Sequence, residues 1–198
     1  MREAFDAGQR DFGENYVQEA LAKITELADL KANSGDPIRW HLIGPLQSNK
    51  AREVAANFDW VHSVDRMKLA QRLSDLRPPT LAPLQVCLQV NISGEDSKSG
   101  VAPEAALALA REVAALPRLK LRGLMAIPEP AADLAAQRAP HRALRKLLEA
   151  LNAEGLDLDT LSIGMSADLE AAVAEGATWV RIGTAIFGSR PAKSVPTS

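Results

Sequence analysis

Hydrophobic and polar positions alternate along this chain in blocks, short apolar runs trading places with longer stretches of helical period. Asp11 to Asn15, Ile38 to Ile43, Trp60 to Val64, Leu84 to Ile92, Leu119 to Ile127, Thr160 to Ile163 and Thr178 to Ile182 read as strands. Between them, Tyr16 to Leu30 carries Val17, Leu21, Ile24 and Ala28 on one face. Ala132 to Leu151 carries Leu134, His141, Leu144, Leu148 and Leu151 at the same spacing. Ser48 to Ala56, Arg66 to Leu76, Pro103 to Leu116 and Asp168 to Glu175 read as further helices, and Arg2 to Ala7 as a helix closed by Gly8. The strands are short and mostly apolar, the pattern of a parallel sheet buried on both faces.

Repeated βα units leave two architectures, an open doubly wound sheet and a closed barrel. Seven candidate strands, and an opening helix with no strand before it, predict an α/β fold of the (β/α)8 TIM-barrel type that lacks its first helix and strand. The barrel is expected over residues 1–190 as one domain, with a disordered tail over 191–198.

Composition narrows the function classes. Hydrophobic residues make up 46% of 198, enough for a sizeable core, and a formal net charge of −2 gives no basic footprint for nucleic acid. No apolar run approaches the roughly 18 residues that a membrane span needs, and the first residues lack a signal-peptide stretch. The lone Cys87 sits in a strand-like run and reads as a small buried hydrophobe, so a reducing, cytoplasmic setting is expected. The three histidines, His41, His62 and His141, show no metal-site spacing. His41, ending a strand, is the best functional candidate of the three, although a satisfied core histidine is the plainer reading.

In a (β/α) barrel the chemistry sits where strands end and βα loops begin, often with a phosphate pocket after the last two strands. Those two loops here are Gly164-Met165-Ser166-Ala167-Asp168 and Arg181-Ile182-Gly183-Thr184. Ser166 is placed to cap the helix that follows, whose free N–H groups attract an anion. Gly183 lets backbone come close to a ligand, and Thr184 adds a hydroxyl at the start of a short extra helix. Alternation puts Arg181 and Trp179 on the side opposite Val180 and Ile182. An arginine there serves either a structural ion pair or a ligand's polar ring atom. Gly13-Glu14-Asn15, His41 to Gly44 and the loop Asp96 to Gly100 end strands and belong to the same mouth.

These stretches, in this order, resemble the pyridoxal-phosphate homeostasis proteins. The resemblance rests on Phe12-Gly13-Glu14-Asn15-Tyr16-Val17-Gln18-Glu19, Trp40 to Lys50, Val90-Asn91-Ile92, Ser97-Lys98-Ser99-Gly100, Arg122-Gly123-Leu124-Met125, Gly164-Met165-Ser166 with Asp168, and Arg181-Ile182-Gly183-Thr184 running to Phe187-Gly188. It spans about Ala4 to Gly188. It implies a barrel like the alanine racemase N-terminal domain with pyridoxal 5'-phosphate at its C-terminal mouth. By that resemblance Ser166 and the Gly183-Thr184 turn take the phosphate, Arg181 faces the pyridine nitrogen, Asn15 lies near the cofactor, and Met165 counts among the cofactor-binding residues.

The resemblance also implies a lysine anchor on the first barrel strand, in a segment resembling Val-Ser-Lys. None of the lysines of this chain occupies that position, Lys98 being the nearest substitute, and Met1 reads as an internal methionine. The implied role is a non-catalytic, monomeric carrier and buffer of the cofactor, with pyridoxal-phosphate-dependent apoenzymes as recipients. An amino-acid racemase is the alternative, but the chain ends ten residues after Gly188 and its single tyrosine is Tyr16.

Overall fold

The computed structural model describes residues 1–32, 35–94 and 99–188. Seven strands, β1 (Asp11–Glu14), β2 (Arg39–Leu42), β3 (Trp60–Val64), β4 (Leu84–Gln89), β5 (Leu119–Met125), β6 (Thr160–Met165) and β7 (Trp179–Arg181), form one sheet in chain order. Every pairing is parallel. The helices are α1 (Arg2–Asp6), α2 (Val17–Glu26), α3 (Ala28–Ala32), α4 (Ala51–Asn57), α5 (Met67–Leu76), α6 (Ala106–Ala114), α7 (Leu134–Ala153), α8 (Leu169–Ala174) and α9 (Thr184–Phe187).

Period-two alternation divides each strand between two cores. Trp40, Leu42, Val61, Val86, Leu88, Leu161 and Ile163 point outward and pack against Val54, Leu69, Leu73, Val113 and Leu144 of the helices. Their neighbours in sequence point inward, where Trp60, Cys87 and Met125 form a second, smaller cluster with Trp179 against it. The inner face carries the curvature. His41 of β2 lies 5.0 Å from Trp179 of β7, ring centre to ring centre, and His62 of β3 bonds Ser162 of β6. Strands at opposite sides of the order can touch only if the sheet curls through most of a circle. The result is a nearly closed seven-stranded barrel whose two edge strands are β1 and β7, in agreement with the fold read from the sequence.

Some boundaries move. The long helix expected over Tyr16 to Leu30 breaks at Leu27 into α2 and α3. The strand expected to reach Ile92 stops at Gln89, and Val90 makes an isolated parallel bridge to Val101. The helix expected over Ser48 to Ala56 opens as a single 3-10 turn, Ser48–Lys50, before α4. The expected tail, 191–198, lies outside the described residues, as do Asp96, Ser97 and Lys98.

Gly164 fixes the exit from β6. It has φ of +90°, and a Cβ there would stand 2.5 Å from the Cβ of Ala172, so glycine is demanded both by backbone and by α8 packing. Gly183 is the opposite case: its φ is −113° and a Cβ would meet nothing within 4 Å. Gly164→Ala should therefore cost about 2–4 kcal/mol in urea unfolding, combining a left-handed backbone with overpacking. Gly183→Ala should stay within about 0.5 kcal/mol of the parent.

Candidate functional site

Adjacent strands β6 and β7 deliver five of the six residues singled out from the sequence to one place. Met165 is in register with Arg181, so the loops that follow, with Ser166 on one and Gly183-Thr184 on the other, leave the barrel side by side. Ser166, Gly183 and Thr184 are exposed, and Met165 is 38% exposed at the last position of its strand. Asn15 is exposed one residue beyond β1, at the same end of the barrel but on the other edge strand. Its carbonyl lies against Gly44, where a Cβ would come within 2.1 Å of it.

Ser166 does not cap the helix. α8 starts at Leu169 with Asp168 as the N-cap, and Asp168 reaches back to accept the Met165 N–H at 2.7 Å. The other carboxylate oxygen meets Nε2 of His141, buried on α7, at 2.9 Å. The carboxylate two residues further on wins because it can satisfy the loop backbone and a helix partner at once. Ser166 keeps a free hydroxyl among the described residues.

Arg181 points into the barrel with Trp179, as alternation required, but finds no ion pair among the described residues. Its Nη1 donates to the carbonyl of Ser162 at 2.8 Å and to the Ser162 hydroxyl oxygen at 3.0 Å, and Nη2 donates to the carbonyl of Ala126 at 3.0 Å. Nε makes no protein hydrogen bond among the described residues. From Ser162 a chain of buried polar groups crosses the interior. Ser162 Oγ is 2.8 Å from His62 Nδ1, His62 Nε2 is 2.9 Å from His41 Nδ1, and His41 Nε2 is 3.0 Å from Asp11 Oδ1. Asp11 also receives Nε and Nη2 of Arg39 at 2.8 and 2.9 Å. The His41 ring stacks on Trp60 at 5.4 Å and 7°.

Burial raises the Asp11 carboxyl, but hydrogen bonds from His41 and Arg39 outweigh it and hold the group well below the usual carboxylate range. Burial, then the neighbouring His41 and Arg181, push His62 well below 6.5. Burial pushes the Arg181 guanidinium down to about 10, against the pull of Asp168, so it stays charged at neutral pH. Burial likewise raises the Cys87 thiol, which is fully enclosed and inert.

Sequence reading ranked His62 low and left out Asp11 and Ser162. The signal was present as alternation, since Asp11, His41, Trp60, His62, Ser162, Trp179 and Arg181 all fall on inward positions once the strands are aligned. The contact from His62 to Ser162 spans 100 residues, beyond any local pattern.

Barrel and mouth together define a protein of the alanine racemase N-terminal-domain class, and the family model of that description matches residues 1–191. The pyridoxal phosphate homeostasis protein of Pseudomonas aeruginosa is 66% identical over 190 residues, 96% of this chain and 79% of that protein. The Escherichia coli K12 protein of the same name is 53% identical over 190 residues, 96% of this chain and 80% of its own. This chain belongs to the pyridoxal phosphate homeostasis protein family. Among solved structures, PipY of Synechococcus elongatus with pyridoxal phosphate (PLP) bound superposes with a TM-score of 0.84 at 43% identity, over 94% of this chain and 85% of that one. A Clostridium difficile alanine racemase superposes at 0.75 with 15% identity, over 98% of this chain and 48% of that one, which shows the fold alone.

A neutral buried His62 has a signed consequence for stability. The unfolded chain takes up a proton at this residue below about pH 6.5 while the folded chain does not, so stability falls as pH drops below 6.5 and continues to fall down to the folded value. This histidine contributes a slope of up to about 1.4 kcal/mol per pH unit. Urea unfolding of His62→Gln should give a flatter profile than the parent between about pH 6.5 and 5, whatever the variant's absolute stability.

Proposed function

We propose that this chain binds pyridoxal 5'-phosphate at the C-terminal mouth of its barrel and serves the cell's homeostasis of that cofactor, carrying it without catalysis. The observation that carries this reading is Arg181, held by carbonyls at the barrel mouth with donors to spare, in a chain 66% identical to a homeostasis protein. The residues present fit the two polar ends of the molecule. Ser166, with its free hydroxyl, and the exposed turn of Met165, Gly183 and Thr184 suit the phosphate; open space in front of Gly183 admits it. Arg181 suits the ring nitrogen, and Asn15 flanks the ring from the other edge.

The same residues fit noncovalent holding. Lys23 pairs with Glu14 and Lys50 with Glu53, while Lys68, Lys120 and Lys146 are exposed on the outside of the barrel. Lys98, the substitute considered from sequence, lies outside the described residues, as do Lys193 and the side chain of Lys31.

Pyridoxal phosphate supplies an electron sink when its ring nitrogen is protonated. A guanidinium only donates, so the atom facing Arg181 must be an unprotonated acceptor, and the sink is weak. That favours a carrier over an enzyme. The racemase alternative draws support from the shared fold alone, and Tyr16, the one tyrosine, is 51% exposed at the start of α2. Residues 1–190 act as the binding unit in this reading, as a cytoplasmic monomer that hands the cofactor to dependent apoenzymes. No helix among the described residues is long and apolar enough to cross a membrane.

Equilibrium dialysis of the 198-residue chain against pyridoxal phosphate should show saturable binding. Arg181→Ala should weaken it about ten- to a hundredfold, the worth of one charged hydrogen bond, with no loss of fold by circular dichroism. Borohydride reduction and peptide mapping should label no single lysine stoichiometrically. Such labelling would overturn noncovalent holding, and absent binding would overturn the function.

A further inference from the structure

The polar chain inside the barrel has a direction, and its two ends dictate it. Arg181 at the mouth can only donate hydrogen bonds, and the carboxylate of Asp11 at the opposite end can only accept them. Because Asp11 only accepts, His41 must carry its proton on Nε2, which leaves Nδ1 of the neutral ring bare to accept from His62 Nε2–H. Nδ1 of a neutral His62 is then bare as well and accepts the hydroxyl hydrogen of Ser162, whose lone pair serves Nη1 of Arg181. Every hydrogen points from the mouth toward Asp11. One assignment of hydrogens satisfies all four contacts with both rings neutral.

Resting on the reading that Arg181 meets the ligand, we propose that Asp11, His41, His62 and Ser162 form a positioning relay for Arg181, locking both histidines as Nε2–H tautomers and leaving the Nε–H of Arg181 and the spare Nη2–H for a hydrogen-bond acceptor on the ligand ring. None of the four is a catalytic residue; they act through the guanidinium.

The fold supports the relay independently of any ligand. His41 and His62 are 3% and 1% exposed and Ser162 is fully buried, so water cannot relieve a wrong tautomer. Stacking on Trp60 and the tilted ring of Trp179 hold the His41 ring between them. No carboxylate hydrogen-bonds Arg181 among the described residues: Asp168, whose charge it feels at the mouth, is engaged by the Met165 N–H and by His141. A ring nitrogen brought there meets a pure donor and stays unprotonated.

Histidine side-chain nitrogen NMR on the chain without ligand, at about pH 7.5 where a free imidazole is mostly neutral, reads the tautomers directly. Both His41 and His62 should be protonated at Nε2 and bare at Nδ1. Finding the proton on Nδ1 of either ring, or on both nitrogens, overturns the relay. Ser162→Ala should release the His62 tautomer and weaken binding of pyridoxal phosphate, used alone as the probe, about tenfold, and Ser162→Thr, which restores the hydroxyl, should recover both. Unchanged tautomers and unchanged binding in Ser162→Ala overturn the proposal while Arg181→Ala still impairs binding. If Arg181→Ala binds as the parent does, the ligand reading of Arg181 fails instead, and the tautomers alone decide the relay. Should Ser162→Ala fail to fold, the measurement on the unaltered chain remains decisive.

Discussion

A charged guanidinium placed inside a barrel has to be answered by acceptors, because desolvation of an unpaired charge costs several kcal/mol. The fold meets that demand at Arg181 with two backbone carbonyls and one hydroxyl drawn from β5–β6 territory, and that hydroxyl opens a polar line that ends at Asp11 on the far edge strand. Much else follows from this. β7 must lie beside β6, the sheet must curl until β3 reaches β6, and the interior must be polar along one line while Trp60, Cys87, Met125 and Trp179 fill the rest.

The mouth is built on a different rule. Its loops are anchored from outside the barrel, through Asp168 to His141 of α7, and from beneath, through the backbone of Gly164 against Ala172 of α8. Anchoring the β6 exit on two helices leaves the Ser166 hydroxyl without a structural duty among the described residues, and on the neighbouring loop Gly183 caps α9 through its carbonyl alone. A loop whose polar groups are not consumed by the fold, on a scaffold that does not let it drift, is what recognition of a phosphate requires.

How much of this the chain disclosed beforehand depends on range. The seven strands, their parallel order and the inward aim of Arg181 rest on local alternation and were legible, as was the short helix after Gly183. The cap of α8 was misplaced at Ser166 because serine and aspartate are equally good N-caps; the choice turned on His141, 27 residues away. The relay was invisible for a stronger reason. Asp11, His41, His62 and Ser162 come from four strands, and each looks like an ordinary strand polar residue until curvature makes them neighbours. Neither composition nor spacing encodes that curvature.

Two features of the interior bear jointly on how such a barrel would hold the cofactor in the role proposed for it. An acid beside the ring nitrogen makes the electron sink strong, whereas an arginine there leaves it weaker. Here the one acid joined to Arg181 is four hydrogen bonds away, and each intervening group is neutral and oriented to pass polarisation toward it, away from the mouth. A carboxylate moved next to Arg181 would neutralise the field and make ring protonation easier, gaining reactivity. Keeping Asp11 at the opposite end of the barrel leaves Arg181 a fixed donor, which under the proposed function would grip an unprotonated ring. In that reading the geometry that weakens the electron sink is the same geometry that holds the ring.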